Sequence, residues 1–254
     1  MNDIGNIEIQ QLSLGFKSGF DTKIIINDLS LNLKAGSFTS LIGPSGCGKS
    51  TLLNAIGGHY KPISGSIIID GHEVKSPSAD LGIVFQQHTL FPWKTVKENV
   101  RFGPMRRGLG RVEADRLADE YIQLVGLSGF ENYYPKMLSG GMQHRVEIAR
   151  ALANKPAVLL MDEPFGALDA QMRSSLQDSL LSIWKNTQVT IVFVTHDVNE
   201  AIHISEHIVI LSRKSKSISE IIDINAIEDS STESFMRSKK ADDLRLHCIE
   251  MLSD

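Results

Sequence analysis

Apolar positions along this chain fall into two kinds of stretch, short unbroken runs and longer runs with helical spacing. The unbroken or β-branched runs at 7–12, 24–33, 38–42, 66–69, 81–85, 157–161, 190–195, 207–211 and 218–222 predict strands. Those at 81–85, 157–161 and 190–195 are apolar almost throughout, as a strand buried on both faces of a parallel sheet must be. Between Gln86 and Pro156 the period changes. Residues 96–102, 111–125 and 139–153 place apolar side chains at helical intervals, with Gly and Pro between the segments. The pattern predicts an α/β domain with a helical lobe inserted into it. After Ser212 the chain turns polar, and 234–252 closes it with amphipathic helical spacing.

The run from Phe38 to Ile42 feeds directly into Gly43, Pro44, Ser45, Gly46, Cys47, Gly48, Lys49, Ser50 and Thr51, and helical spacing resumes at once. Glycines at these positions let a backbone turn tightly enough to aim several N–H groups at one anion. A helix start placed after the turn adds the positive end of its dipole. In that frame Lys49 is expected on the β- and γ-phosphates of a nucleotide and the Ser50 hydroxyl on Mg²⁺. A glycine-rich turn can fit the spacing by accident, about once in a hundred chains of this length. The strand before it and the helix after it make a nucleoside triphosphate site the expectation.

Two further stretches extend this reading. Val158, Leu159, Leu160 and Met161 run into Asp162 and Glu163, so two carboxylates stand at the C-terminal end of a buried strand, where open parallel sheets bind ligands. Asp162 is expected to serve the Mg²⁺–nucleotide and Glu163 to polarise the attacking water. Alone, such a pair would be read as a helix N-terminus. Leu138, Ser139, Gly140, Gly141, Met142 and Gln143 then lead into a periodic helix. Ser139 is a natural N-cap, and the two glycines permit close approach of an anion to the backbone.

Composition removes several alternatives. A net charge of −4 with 22% charged residues offers no basic field for nucleic acid. Cys47 and Cys248, the two cysteines, form no disulfide framework, which suits a reducing compartment. No apolar run approaches the ~18 residues a spanning helix needs, and the first residues are polar, without a signal region. A membrane connection is therefore expected through a partner.

Taken in order, residues 43–51, Gln86 after an apolar strand, 138–142, Asp162 with Glu163, and His196 after the strand ending at Thr195 resemble the ATP-binding subunits of ATP-binding-cassette (ABC) transporters, over roughly residues 5–212. Gly166, Ala167, Leu168 and Asp169 resemble that family's D-loop. The resemblance implies a P-loop NTPase core, a mixed sheet with flanking helices, carrying an N-terminal antiparallel β-part and an inserted helical subdomain at about 87–156. The cassette would span 5–225, and 226–254 would form a tail with a helix. It implies ATP and Mg²⁺ as cofactors, with Ser50, Gln86 and Asp162 at the metal, Glu163, His196 and Gln86 in catalysis, and Phe16 or else Phe20 stacked on adenine. Ser139, Gly140, Gly141 and Asp169 would contact nucleotide held by a second ATP-binding subunit in a head-to-tail homodimer.

The family also implies a membrane permease docked near residues 86–96, a solute-binding protein acting through it, and a place on the cytoplasmic face of the inner membrane. Phe91 and Trp93 lie in that stretch beside Pro92, where aromatic side chains can grip a partner helix or simply plug the lobe. The run Leu90, Phe91, Pro92, Trp93 followed by Thr95 and Val96 resembles importers of nitrate, sulfonates and taurine. An exporter subunit, or an ABC ATPase working on DNA or ribosomes, remains the alternative. The residues after Leu211 are expected to be too few for the regulatory β-domain of the sugar importers. His144 is expected to be a variant surface position, Cys47 a small loop residue without a redox role, and the pair His203 and His207 not to bind metal.

Overall fold

The computed structural model describes residues 4–18, 21–166, 170–227, 233–236 and 238–252. Its contacts divide the chain into two compact units, Met1–Ser78 with Gln188–Asp254, and Ala79–Thr187. The first unit opens with a long hairpin, β1 (Ile7–Ser18) and β2 (Asp21–Leu33). β3 (Phe38–Ile42) then leads through a loop into α1 (Lys49–Ile56). β4 (Ser64–Ile69) and the two-residue β5 (His72–Glu73) return antiparallel, so β1 lies between β2 and β4 in a four-stranded antiparallel sheet.

The second unit holds β6 (Leu81–Val84), α2 (Val96–Arg106), α3 (Arg111–Leu124), a single 3-10 turn at Pro135–Met137, α4 (Gly140–Leu152), β7 (Val158–Asp162) and α5 (Ala170–Thr187). The chain then completes the first unit with β8 (Thr190–Val194), α6 (Val198–Ile204), β9 (His207–Leu211), β10 (Ile218–Asp223), α7 (Glu233–Met236) and α8 (Lys239–Leu252).

In the first unit β3 pairs parallel with both β8 and β9, and every residue of β3 and β8 is buried. Burial on both faces is what their unbroken apolar sequences demand. β10 closes this sheet antiparallel to β9 with alternating burial, the pattern of a strand with one wet face. The tail is packed against the same unit. Phe235, Ala241 and Cys248 are buried with Ile42, Val198, Ala201, Ile202, Ile208 and Ile210, and Leu244 and Leu252 pack at the margin. Ile249 is exposed.

The structure departs from the sequence reading in particular places. β1 runs on to Ser18 and β2 starts at Asp21, both within the polar stretch around residues 17–23, because backbone pairing of Phe16 with Lys23 and Lys17 with Thr22 needs no apolar face. The terminal stretch forms two helices, α7 and α8, the second starting where the Ser238 hydroxyl accepts from Ala241 N–H at 3.3 Å. α5, α6 and β5 have no counterpart among the predicted elements. α5 begins in a polar run, and α6 spans only seven residues, too short for a periodic signal.

Candidate functional site

Parallel pairing sets which turns lie side by side. In the first unit Leu41 on β3 is opposite Val194 on β8, so the loop at residues 43–48 and the turn at 195–197 leave the same edge. Gly46 and Gly48 have φ of +79° and +108°. Both values lie in the left-handed region, which explains glycine at those two places. A Cβ on Gly48 would also come within 3.0 Å of Ile25 and Ile26, so β2 presses on the loop from outside. α1 starts immediately after, and Lys49 is buried with its ammonium donating to the Gly43 carbonyl at 2.7 Å and the Pro44 carbonyl at 3.3 Å. Pro44 is half-buried, while Ser45, Gly46 and Ser50 are exposed, so the outward side of the loop is open to solvent. Cys47 is buried, and burial pushes its thiol upward in pKa against the opposing pull of Lys49. It therefore stays a neutral packing group.

The β2 strand that presses on the loop pairs with β1, whose Phe16 lies opposite Lys23. Phe16 is 46% exposed and meets Tyr60 edge to face, with centroids 5.6 Å apart and planes at 88°. Tyr60, absent from the sequence reading, gives the ring a fixed wall. Phe20 lies outside the described residues. His196 lies two residues past the end of β8 and is exposed. Its turn is held from beneath: Thr195 Oγ1 donates to buried Glu200, Asp197 N–H donates back to Thr195 Oγ1 at 3.0 Å, and the Asp197 carboxylate caps α6.

The second unit repeats this logic. Val84 on β6 is opposite Met161 on β7, so Gln86 and Glu163 each follow by two residues on one edge. A Cβ on Gly166 would lie 3.7 Å from the Gln86 amide nitrogen and 3.8 Å from a Glu163 carboxylate oxygen, so both polar groups flank one point. Asp162 ends β7 half-buried. Glu163 has φ +44°, a conformation that strains a non-glycine residue by on the order of 1 kcal/mol. Asp169 lies outside the described residues, as do Ala167 and Leu168.

Ser139 N-caps α4, its hydroxyl accepting from Met142 N–H at 3.3 Å, and its side chain is exposed. Gly141 answers to packing: a Cβ there would meet Met172 Sδ on α5 at 2.6 Å. Gly140 is half-buried beside it. His144 corrects the sequence reading. It is 1% exposed, because the fifth residue of α4 faces inward, and burial holds its imidazole below the ordinary pKa against the pull of Glu147.

Residues 91–95 form a compact turn organised by a side chain the sequence reading overlooked. Buried Asn99 accepts from Phe91 N–H at 2.8 Å and donates to the carbonyls of Phe91, Lys94 and Thr95 at 3.0–3.2 Å. Thr95 and Glu98 close a capping box on α2. Phe91 packs against Phe102, with centroids 4.7 Å apart, and Arg150 lies 5.5 Å over its ring. Trp93 stands 70% exposed at the tip, so it does not plug the lobe. An Asn eight residues after Phe91 carries no periodic or motif signal, which is why only geometry reveals it.

The model of the ABC transporter family matches residues 26–166, from β2 past Glu163. The chain belongs to the ABC transporter family. It is 46% identical to a taurine import ATP-binding protein of Roseobacter denitrificans over 81% of this chain and 77% of that one. It shares 46% identity with an aliphatic sulfonates import ATP-binding protein of Bacillus thuringiensis subsp. konkukian over 86% of each chain. Among solved structures, a dimeric ATP-binding cassette in a post-hydrolysis state with ADP and Pi superposes with a TM-score of 0.74. It is 33% identical, and the match covers 85% of this chain and 98% of that one. The fold is that of a P-loop NTPase cassette, and the protein is an ATP-binding, transport-coupled ATPase. No helix among the described residues is long and apolar enough to cross a membrane.

The role of Asn99 is testable. Replacing Asn99 by Ala removes the side-chain partner of Phe91 N–H and of the Lys94 carbonyl, while the Phe91 and Thr95 carbonyls keep the N–H groups of Lys94 and Asn99, and a loss of about 1–3 kcal/mol in stability is expected. In a Trp184→Phe background, the fluorescence anisotropy of Trp93 should fall with the same substitution. Unchanged anisotropy and urea midpoint would remove Asn99 from the organisation of this turn.

Proposed function

We propose that this chain hydrolyses ATP to power the import of a small anion through a separate membrane permease, with taurine and aliphatic sulfonates as the favoured class and nitrate as a relative of it. The observation that supports this most is the identity shared with two sulfonate-type import subunits over most of each chain's length. The exposed Trp93 on its braced turn supports a permease contact near residues 86–96. A solute-binding protein would deliver the anion to that permease. The cassette would work as a peripheral subunit on the cytoplasmic face of the inner membrane.

The chain's own residues supply the steps. Gly43, Ser45, Gly46, Cys47, Gly48 and Thr51 offer backbone N–H groups to the phosphates, Pro44, which has none, shapes the turn between them, and Lys49 moves from the Gly43 carbonyl to the β- and γ-oxygens. The open space beyond Gly46, where a Cβ would meet nothing within 4 Å, fits a phosphate chain. Phe16, braced by Tyr60, stacks on adenine. Ser50, Gln86 and Asp162 offer a hydroxyl, an amide oxygen and a carboxylate, the hard oxygen donors Mg²⁺ prefers. When bound, Mg²⁺ neutralises charge developing between the β- and γ-phosphates. Glu163 takes the proton of the attacking water, and His196 donates to the γ-phosphate.

Ser139, Gly140, Gly141 and Asp169 are assigned to nucleotide bound by the second subunit, so ATP favours a closed homodimer. Hydrolysis removes the γ-phosphate contacts and lets it open.

Glu163→Gln is expected to lower ATP turnover by about 10²–10⁴-fold while ATP binding and the closed dimer persist. Turnover assays with size-exclusion chromatography read both, and unchanged turnover would dismiss Glu163 as the base. Trp93→Ala is expected to spare hydrolysis by the isolated cassette and to abolish co-purification with its permease. Intact assembly would remove this turn from the docking contact. Reconstituted with its membrane partners and binding protein, the complex should hydrolyse ATP faster when taurine or an alkanesulfonate is added. Recovery with an exporter-type membrane domain instead would overturn the import reading.

A further inference from the structure

Three side chains with metal-binding atoms converge inside the second unit, apart from the residues assigned to ATP. His88 comes from the segment that follows β6. His144 and Glu147 come from α4, three positions apart and so on one face of that helix. One ligand atom from each lies within 4.8 Å of the others. His88 Nδ1 is 3.2 Å from Glu147 Oε2, and the two imidazole rings meet edge to face with centroids 4.5 Å apart. Glu147 is buried, with Oε1 occupied by the N–H and hydroxyl of Thr89 and Oε2 turned to His88.

A plain His88–Glu147 pair with a packing histidine beside it does not account for His144. That ring is 1% exposed, and neither Nδ1 nor Nε2 makes a hydrogen bond of good geometry; the Gly140 carbonyl one turn earlier is the backbone group that pulls on it and can serve one nitrogen at most. Buried polar atoms are rarely left so, and an ion is one of the few things that satisfies a lone pair inside a protein. We propose that His88, His144 and Glu147 bind one divalent transition-metal ion, with Zn²⁺ the best match.

Two imidazoles and one carboxylate form a set that Zn²⁺ takes with water in the fourth position, whereas Mg²⁺ and Ca²⁺ favour oxygen throughout. Tetrahedral Zn²⁺ spaces its ligand atoms by about 3.3 Å, so the His88–Glu147 pair already fits and His144 needs to close by at most about 1.5 Å. His88 is one-third exposed at its side chain and gives the ion access. Arg150 is the cation facing the cluster. Its guanidinium is tied to the Thr89 carbonyl and hydroxyl at 2.8 and 2.6 Å, within the field of Glu147.

The ion would fasten the segment that begins at Gln86 to α4, whose first turn carries Ser139 and Gly140. Gln86 is assigned to the attacking water, so fastening its segment is expected to slow turnover.

The test uses the full chain without a histidine tag. After dialysis against Zn²⁺, mass spectrometry of the metal content should find one Zn²⁺ per chain, and Co²⁺ in its place should give the visible absorption of tetrahedral cobalt. Loss of even an outer-shell partner weakens metal sites by about 10–100-fold, so His88→Ala and His144→Gln should each weaken binding at least about tenfold. His88→Ala alters a partly exposed side chain, and an unchanged unfolding midpoint without metal shows that its fold is intact. Zn²⁺ should slow ATP turnover of the parent protein, a zinc-selective chelator that spares Mg²⁺ should restore it, and both variants should ignore it. Failure of the parent to take up stoichiometric Zn²⁺, or equal uptake by both variants, overturns the site. Uptake without any effect on turnover overturns the clamp.

Discussion

Register between parallel strands is the constraint on which the rest of this molecule depends. Leu41 opposite Val194, and Val84 opposite Met161, make each pair of strands end together. Parallel neighbours point the same way, so the backbone leaves both strands at one edge and the turns that follow are forced to be neighbours. Residues separated by some 150 positions of sequence, such as Lys49 and His196, thereby belong to one edge of one unit. A slip of one residue in β3 against β8 would turn its buried side chains to the wrong face and carry the phosphate loop away from the His196 turn.

What was legible in the sequence follows from how each feature is encoded. β3, β7 and β8 are read correctly because strands buried on both faces can carry little but apolar residues. α4 is read within a residue at each end because Ser139 marks its start and its apolar spacing persists to Leu152. The phosphate loop is legible because its backbone needs glycine where φ is positive, and few other residues tolerate that. α5 and α6 were not legible. The first opens with polar residues and the second is shorter than two helical turns, so neither sets up a period. His144 was misread because one histidine among charged neighbours looks solvated until the helix face is known.

Glycine in the signature stretch shows how two causes can share one residue. A motif reading assigns Gly141 to close approach of an anion, while the structure gives it a packing reason, the sulfur of Met172 on α5. The two do not compete. Gly141 is buried against α5, and exposed Ser139 remains at the N-terminus of α4, free of that contact. Close packing of α4 on α5 therefore fixes the direction in which the helix presents its first turn.

Four of the turns assigned a role have a buried polar group beneath them. Lys49 ties the phosphate loop to its own carbonyls, Glu200 holds Thr195 under His196, Asn99 gathers residues 91–95, and Glu147 takes the N–H and hydroxyl of Thr89. Loops of this kind have no ladder of backbone bonds, so their shape must come from side chains that reach in from a neighbouring element. A buried polar anchor is expensive unless fully paired, and Asn99 meets that condition with bonds to four backbone groups. Where the anchors are complete, the turn is rigid and the exposed residue at its tip, His196 or Trp93, is held in place. At His88 the anchor is incomplete by one histidine, and that departure from an otherwise consistent rule is the reason to look there for a missing ion.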